Sequence, residues 1–238
     1  MSVVTLNDII GATYEVREAA PQSTLRNTAL LLIDVQQLAS PEHLAEQAKA
    51  AGLPSQEVDT ALEDYAQRFY AAVENCKTLL DCARHANVPC IHIRIEALSG
   101  NARDTGPAHR RLGWCYPPGS KETKFLSGME PKEGEVVISK TVSGAFTATN
   151  LDAVLRHMGI AWLLVAGFMA DECVEATVRV ALDLGYTTLV ANDASTAYEQ
   201  AAHQHTMAKY KSWGLLRQTD ELVKMLLDLR QLEDQTIC

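Results

Sequence analysis

The sequence lacks several features that mark membrane, nucleic-acid-binding and secreted proteins. It has no apolar run of membrane-spanning length and no long basic tract. Its formal net charge is -9 and its pI is about 5.2, so its surface repels phosphate backbones and we expect neither nucleic-acid nor membrane binding. The N-terminal segment lacks the charged and apolar regions of a signal peptide, which predicts a cytoplasmic protein.

The chain has few cysteines, and their spacing does not indicate a disulfide framework. Six occur, and none forms a CxxC pair. In a chain of this size without an export signal, this spacing predicts free thiols instead of disulfides. The six are Cys76, Cys82, Cys90, Cys115, Cys173 and Cys238.

Length and composition predict one well-packed domain. The 238 residues are 47% hydrophobic and 21% charged, which provides ample material for a buried core. No internal repeat or linker interrupts the chain. We therefore expect a single domain over residues 1–238, with its core at about 27–232.

Short apolar runs alternate with helical patterns along the chain. Continuous apolar runs are typical of parallel strands covered on both faces. The strand candidates are Ala29–Ile33, Cys90–Ile95, Val136–Ile138, Trp162–Ala166 and Thr187–Val190. The helix candidates are Val58–Ala86, Asn150–Met158, Asp171–Leu184, Ala197–Ser212 and Asp220–Leu232. The alternation predicts an α/β fold with a parallel sheet, and it leaves Ser40–Leu53 and Ser99–Gly134 as loops.

Three reactive side chains come at the carboxyl ends of predicted strands. Asp34 follows the first strand, Lys140 follows the third, and Cys173 lies in the loop after the fourth. Ligands bind at this edge of an open parallel sheet, so the three side chains can meet there. Asp34 and Lys140 also have ordinary interpretations, as a turn cap and as a solvated surface lysine.

Cys173 lies just inside the predicted start of a helix, with Asp171 as the N-cap. The helix dipole lowers a thiol pKa at such a position, and the backbone N–H groups there can stabilise an oxyanion. The ordinary alternative is a small buried apolar residue. Together, Asp34 can take the thiol proton, Lys140 can neutralise charge, and the thiolate can attack a carbonyl to form an acyl-enzyme that water hydrolyses.

A resemblance to a known family is carried by three segments in order: ALLLIDVQ, ISKTVSGAFTATNLDAVL and LLVAGFMADECVEATVRVALDLGYTTLVANDAS. They are similar to the isochorismatase-like cysteine hydrolases, from about Ala29 to about Tyr210. The resemblance implies a three-layer α/β/α fold with a six-stranded parallel sheet in a Rossmann-like strand order. It also implies cleavage of amide, ureide or related C–N bonds, as in the amidohydrolase branch that contains N-carbamoylsarcosine amidase and the biuret and ureidoacrylate hydrolases.

The resemblance implies roles for individual residues. Asp34, Lys140 and Cys173 would form an Asp–Lys–Cys triad. The peptide bond between Phe168 and Met169 would be cis, and the backbone N–H groups of Met169 and Cys173 would bind the oxyanion.

The chain departs from the family around the site, which leaves its substrate contacts open. VQQLASPEHLAEQ follows Asp34 and lacks the usual aromatic wall, Ala170 replaces a common Thr, and Glu172 replaces a common apolar or aromatic residue. The loop Arg103–Trp114 concentrates arginines that can bind a carboxylate or ureide, unless the loop is merely solvated. The substrate-binding candidates are Gln36, Arg103, Arg110, Arg111, Trp114, Phe146, Phe168 and Glu172. Trp114, Tyr116 and Phe125 either line the pocket or, as we favour, pack the loop onto the domain.

A metal site is not predicted. Nicotinamidases of this family bind a metal through an Asp-x-His segment after the second strand and a further His, whereas IHIRIEALSGNARD contains no such segment. His109 has no carboxylate two residues away, and His203 and His205 diverge on a helix. We expect no metal and no other cofactor, and interpret His92 and these three histidines as surface residues or as neighbours of the site.

The predicted function is hydrolysis of a small amide, ureide or carbamoyl C–N bond through a thioester. As in similar proteins, we expect a homo-oligomer, a dimer or a tetramer. One alternative is an enol ether hydrolase in which Asp34 is the general acid and Cys173 is not essential. The other is a non-catalytic binding protein with the same fold, although its expected mark, a replaced triad residue, is absent.

Overall fold

A computed structural model describes residues 4–6, 8, 9 and 20–236 of the chain. Six strands form one parallel sheet in the order β3-β2-β1-β4-β5-β6. The strands are β1 (Thr28–Ile33), β2 (Cys90–Ile95), β3 (Val136–Lys140), β4 (Trp162–Phe168), β5 (Thr187–Thr196) and β6 (Leu216–Arg217). This is the predicted Rossmann-like order, with the chain starting at the centre of the sheet and reversing direction at β1.

Helices cover both faces of the sheet, which confirms the three-layer prediction. They are α1 (Pro41–Ala50), α2 (Ser55–His85), α3 (Pro107–Arg111), α4 (Leu151–His157), α5 (Glu175–Asp183), α6 (Gln200–Ser212) and α7 (Thr219–Thr236). One hydrophobic core lies between the sheet and α2 and α7, and the other lies between the sheet and α4, α5 and α6. No helix of residues 20–236 is both long and apolar enough to cross a membrane.

Several predicted bounds need correction. The predicted loop Ser40–Leu53 contains α1, because the Ser40 Oγ accepts a hydrogen bond from the His43 N–H (3.1 Å) and Pro41 occupies the first turn. The predicted N-cap at Asp171 is wrong, since a π-helical turn (Ala170–Val174) precedes α5 and Met169 is its N-cap. Lys140 does not follow the third strand but is its last residue.

The described cysteines are all free thiols, as predicted. Cys238 lies outside the described residues.

Gly167 brings the two central strands together directly below the carboxyl edge of the sheet. Its φ of 117° is in the region that favours glycine, and a Cβ there would lie 2.0 Å from the Ile33 carbonyl oxygen. Since Asp34 follows Ile33 and the Cys173 turn follows Gly167, this close approach positions both side chains at one edge.

Candidate active site

Asp34, Lys140 and Cys173 meet at the carboxyl edge of the sheet. The Lys140 Nζ lies 2.7 Å from the Asp34 Oδ2 and 3.2 Å from the Cys173 Sγ. The three residues are 4%, 1% and 3% exposed, respectively. Lys140 is therefore not a solvated surface lysine, and the structure brings together the three residues that the sequence singled out.

Each of the three side chains is held by the end of a different strand. Asp34 follows β1 with a φ of 51°, and its N–H donates to the Ile93 carbonyl (2.9 Å). Because β2 separates β3 from β1, the Lys140 side chain extends across the end of β2 to reach Asp34. Cys173 is held in the π-helical turn after β4, where the Thr177 Oγ1 donates to its carbonyl (2.7 Å).

Burial and neighbouring charges determine the protonation states of Asp34, Lys140 and Cys173. Burial alone would lower the pKa of Lys140, but the Asp34 carboxylate and Cys173 raise that pKa overall, so the ammonium stays charged. Burial raises the pKa of Asp34 although Lys140 opposes the shift. Burial also raises the pKa of the Cys173 thiol well above its usual value, against the effect of Lys140.

The thiol is consequently protonated before reaction, and the predicted lowering of its pKa by a helix dipole is wrong. Desolvation of the Sγ outweighs the opposing effect of the Lys140 charge on the thiol pKa. A base is required to form the nucleophile. The Asp34 carboxylate hydrogen-bonds with both Lys140 and Cys173, so it can take the thiol proton directly.

The backbone before Cys173 has the conformation that the resemblance implies. The Phe168–Met169 peptide bond is cis. The Ser195 Oγ donates to the Gly167 carbonyl (2.7 Å), and the Tyr65 hydroxyl donates to the Ala39 carbonyl (2.6 Å). The first hydrogen bond ties the end of β4 to β5, and the second ties α2 to the segment after β1.

A small cavity opens onto Asp34 and Cys173. Its lining combines predicted residues with residues that sequence reasoning missed. The predicted ones are Asp34, Gln36, Trp114, Phe168, Met169, Glu172 and Cys173, and the missed ones are Leu38, Ala39, Ile95 and Tyr198. Trp114 and Tyr198 supply the aromatic wall that is absent after Asp34. Tyr198 follows the carboxyl end of β5, so the strand-end rule that selected the triad could have found it.

Other predicted substrate contacts lie away from this cavity. Arg103, Arg110 and Arg111 do not line it, and the Arg110 Nη2 instead donates to the carbonyls of Arg103 (2.7 Å) and Thr105 (2.8 Å). Phe146 does not line it either, and its ring stacks on that of Tyr186 with 5.8 Å between centroids.

Gln36 lines the cavity, but the backbone fixes its amide. The Nε2 donates to the carbonyls of Ile95 (3.1 Å) and Glu122 (2.8 Å), and the Oε1 accepts from the Ile95 N–H (2.7 Å). Both amide hydrogens are used, so Gln36 joins β1, β2 and the long loop and offers a ligand only its carbonyl oxygen.

The aromatic residues of the long loop divide between packing and lining. The Phe125 ring meets that of His92 edge-on (5.5 Å), and the Tyr116 ring meets that of His43 (6.4 Å). These contacts agree with the packing interpretation. Trp114 packs on His109 (5.3 Å) and also lines the cavity.

Of the four histidines considered as metal ligands, His92 and His109 are buried. His92 pairs with the Glu135 Oε2 (2.8 Å), and the His109 Nε2 lies 3.3 Å from the Ser143 Oγ. The surface interpretation is therefore wrong for both. Burial and the nearby Lys140 charge lower the pKa of His109 to about 4, so its ring is neutral. Residues 20–236 contain no group of three or more His, Cys, Asp or Glu side chains that could hold a metal ion.

Comparison with known proteins gives a consistent family. The isochorismatase domain model matches residues 28–220. The secreted isochorismatase effector Isc1 of Verticillium dahliae is 32% identical over 124 residues, covering 52% of this chain and 59% of that protein. Maleamate amidohydrolase of Pseudomonas putida is 30% identical over 131 residues (54% and 62%). Ureidoacrylate amidohydrolase RutB of Agrobacterium fabrum is 28% identical over 161 residues (59% and 71%). The chain thus spans about three fifths of the length of the first two relatives.

Solved structures agree on the fold. A cysteine hydrolase from Pseudomonas syringae pv. phaseolicola superposes with a TM-score of 0.71 at 18% identity, covering 90% of this chain and 100% of that one. N-carbamoylsarcosine amidase from Thermoplasma acidophilum superposes with a TM-score of 0.61 at 20% identity, covering 82% and 97%. At these identities the likeness concerns the fold alone.

Proposed function

The chain belongs to the isochorismatase family, and on that premise we propose that it is a cysteine hydrolase that cleaves a small amide, ureide or carbamoyl C–N bond. One observation carries the proposal: a buried lysine contacts both a carboxylate and a thiol at the base of a cavity. Nucleophile, base and orienting charge are thus within reach of one another, as acyl transfer requires.

Asp34 acts first as the general base. It takes the proton of the Cys173 thiol, and the Sγ attacks the carbonyl carbon of the substrate. The backbone N–H groups of Met169 and Cys173 stabilise the oxyanion, and Lys140 balances the charge that moves between Asp34 and Cys173. The leaving amine takes the proton from Asp34 as the C–N bond breaks.

Hydrolysis of the thioester completes the reaction. Asp34, ionised again, removes a proton from water, whose oxygen attacks the thioester carbonyl. The C–S bond breaks, the Cys173 Sγ recovers a proton, and the carboxylic acid leaves. The names of the maleamate and ureidoacrylate relatives support an amide or ureide substrate. The cavity is small, which favours a small substrate.

One observation favours a second candidate, hydrolysis of an enol ether. Because burial raises the pKa of Asp34, its protonated form is more accessible than that of an ordinary aspartate, and a protonated Asp34 could act as a general acid. No thioester forms in that reaction, and Cys173 is not essential to it.

The proposal is tested by ammonia release from a panel of small primary amides and ureides, including butyramide and N-carbamoylglycine. We expect turnover in the wild type and a loss of about a thousand-fold or more in Cys173→Ala, since nucleophile and covalent intermediate are both lost. Cys82→Ala, which removes a half-buried thiol from α2, should retain wild-type rates. Ammonia release that survives in Cys173→Ala contradicts the thioester route.

The predicted homo-oligomer and cytoplasmic location are kept as proposals. Sedimentation of the purified chain measures the first, and fractionation of the source cells measures the second.

A further inference from the structure

Glu172 lines the cavity next to the proposed nucleophile, and its charge is uncompensated. Its carboxylate makes no hydrogen bond and no ion pair with any described residue. Burial and the neighbouring Asp171 carboxylate raise the pKa of Glu172, although the Lys140 ammonium opposes the shift. Glu172 is also exposed to solvent, so a ligand that enters the cavity can reach its carboxylate.

The balance of charge around the cavity is negative. Asp34 and Glu172 contribute two carboxylates, against the single ammonium of Lys140. That ammonium already faces the Asp34 Oδ2, the Cys173 Sγ and the Val142 carbonyl, so it is not directed towards a substrate group. The other lining residues carry no charge: Gln36, Leu38, Ala39, Ile95, Trp114, Phe168, Met169 and Tyr198.

No arginine compensates this charge from the cavity wall. Arg68 lies behind Tyr198, and its guanidinium donates to the Thr196 Oγ1 and to the carbonyls of Ala197 and Tyr198, each at 2.8 Å. The arginines of the long loop, which the sequence offered for binding a carboxylate, do not line the cavity. A substrate carboxylate would therefore meet two carboxylates and no free cationic donor of the described residues.

We propose that the site selects amides or ureides that carry an ammonium or other cationic group, which Glu172 binds, and that it discriminates against substrates that carry a carboxylate. The amide part of this statement rests on the proposed function. The preference for positive charge rests only on the residues around Cys173, so it can be tested without a known substrate.

The test uses the Cys173 thiol as a probe of its own surroundings. We would measure second-order rates of mixed-disulfide formation at Cys173 with the cationic 2-aminoethyl, neutral ethyl and anionic 2-sulfonatoethyl methanethiosulfonates. In each reaction the Sγ attacks the reagent's sulfenyl sulfur, and methanesulfinate leaves. Peptide mass spectrometry separates Cys173 from other labelled cysteines. The ratio of cationic to anionic rates cancels the thiolate fraction, which is common to all three reagents.

We expect the cationic reagent to react at least ten-fold faster than the anionic one in the wild type, and Glu172→Gln to reduce that ratio about ten-fold. Glu133→Gln removes the same charge from an exposed position before β3, and should change the ratio less than two-fold. A faster anionic reagent in the wild type, or a ratio that Glu172→Gln leaves unchanged, overturns the proposal.

A matched amide series separates this inference from the proposed function. β-Alaninamide, butyramide and succinamate share a spacer and differ in the charge of the distal group. We expect kcat/KM to fall in that order, and Glu172→Gln to lower the ratio of the β-alaninamide value to the butyramide value about ten-fold. Butyramide turnover that depends on Cys173, without a charge preference, overturns the inference alone. Turnover that persists in Cys173→Ala overturns the proposed function, while the labelling ratio still decides the charge preference.

Discussion

Asp34 combines two features that are each unfavourable for an ordinary aspartate. It has a positive φ (51°), and it is buried. Each feature costs free energy of folding, and such costs concentrate at functional sites. The ion pair with Lys140 offsets part of the cost. This carboxylate is the base that the proposed mechanism uses.

The raised pKa of Asp34 gives a prediction for the pH dependence of activity. Asp34 has to be ionised to accept the thiol proton, so kcat/KM falls as the pH decreases through its pKa. Because burial raises that pKa, the acid limb should lie above the ordinary aspartate value of about 3.9. A pH profile of kcat/KM with butyramide measures it. An acid limb at or below pH 4 would contradict the role of Asp34 as base.

At the scale of single residues, the sequence predicts which residues form the site better than it predicts their contacts and pKa values. Asp34, Lys140 and Cys173 could be predicted because each follows or ends an apolar run, and strand ends converge in a parallel sheet. The raised pKa of the Cys173 thiol could not be predicted from the sequence, since it depends on burial of the Sγ by residues distant in sequence. The position of the Arg110 side chain could not be predicted either, because it donates to carbonyls of its own loop.

At the scale of elements, the contact between β1 and β4 determines where the triad forms. Gly167 allows the two backbones to approach, and a Cβ there would meet the Ile33 carbonyl oxygen at 2.0 Å. The segments that carry Asp34 and Cys173 follow directly after the contact between Ile33 and Gly167.

Gly167→Ala should therefore destabilise the protein by about 3 kcal/mol or more, because it combines an unfavourable φ with a backbone clash. Gly185→Ala is the matched control. It has a φ of 90° but nothing within 4 Å of the added Cβ, so it should cost only about 1 kcal/mol. Urea unfolding followed by circular dichroism measures both variants. Equal losses of stability would show that the close approach to Ile33 is unimportant.

Helices and strands were predicted where an apolar pattern extends over many residues, and they were missed where the element is short. Val58–Ala86 agrees with α2 within a few residues, because its apolar spacing persists over many turns. The helix α1 was missed although Ser40 and Pro41 are ordinary start signals, since it is only ten residues long and its apolar spacing spans few turns. The two-residue strand β6 is too short to show any pattern.

At the scale of the whole molecule, an ion-pair cluster joins a covering helix to the edge of the sheet. The Glu135 carboxylate accepts from the Arg84 Nε (2.8 Å) on α2 and lies 2.8 Å from the His92 Nε2 on β2, just before β3 begins. Burial alone would raise the pKa of Glu135, but the hydrogen bonds from Arg84, the Lys132 N–H and His92 lower it to about 2. The cluster thus holds helix and sheet edge together only while Glu135 is ionised.

This cluster should contribute to the acid stability of the fold. Because the folded-state pKa is lower than the ordinary value of about 4.5, the stabilisation is complete above pH 4.5 and is lost as the pH falls towards 2. Glu135→Gln should cost about 2 kcal/mol at pH 7 and show a smaller loss between pH 4.5 and pH 2 than the wild type. Unfolding free energies measured across that range, with the exposed Glu133→Gln as control, test this. Parallel curves for wild type and Glu135→Gln would exclude the contribution.

The overall architecture could be predicted because the patterns that indicate it occur along the whole chain. Apolar runs and helical patterns alternate along the chain, and right-handed crossovers leave few sheet arrangements. The chemistry of the cavity is concentrated in a few contacts across the fold, such as the unpaired Glu172 and the wall formed by Tyr198. Those contacts exist only after the chain has folded.

The most direct test of the proposed mechanism is the mass of the Cys173 peptide during turnover. The enzyme is mixed with excess butyramide, quenched in acid on the millisecond to second scale, and digested. We predict a mass increase on this peptide equal to a butyryl group replacing hydrogen, formed together with ammonia and absent from Cys173→Ala. Ammonia released at the wild-type rate by Cys173→Ala, with no acyl group on the wild-type peptide at any time, would contradict the account.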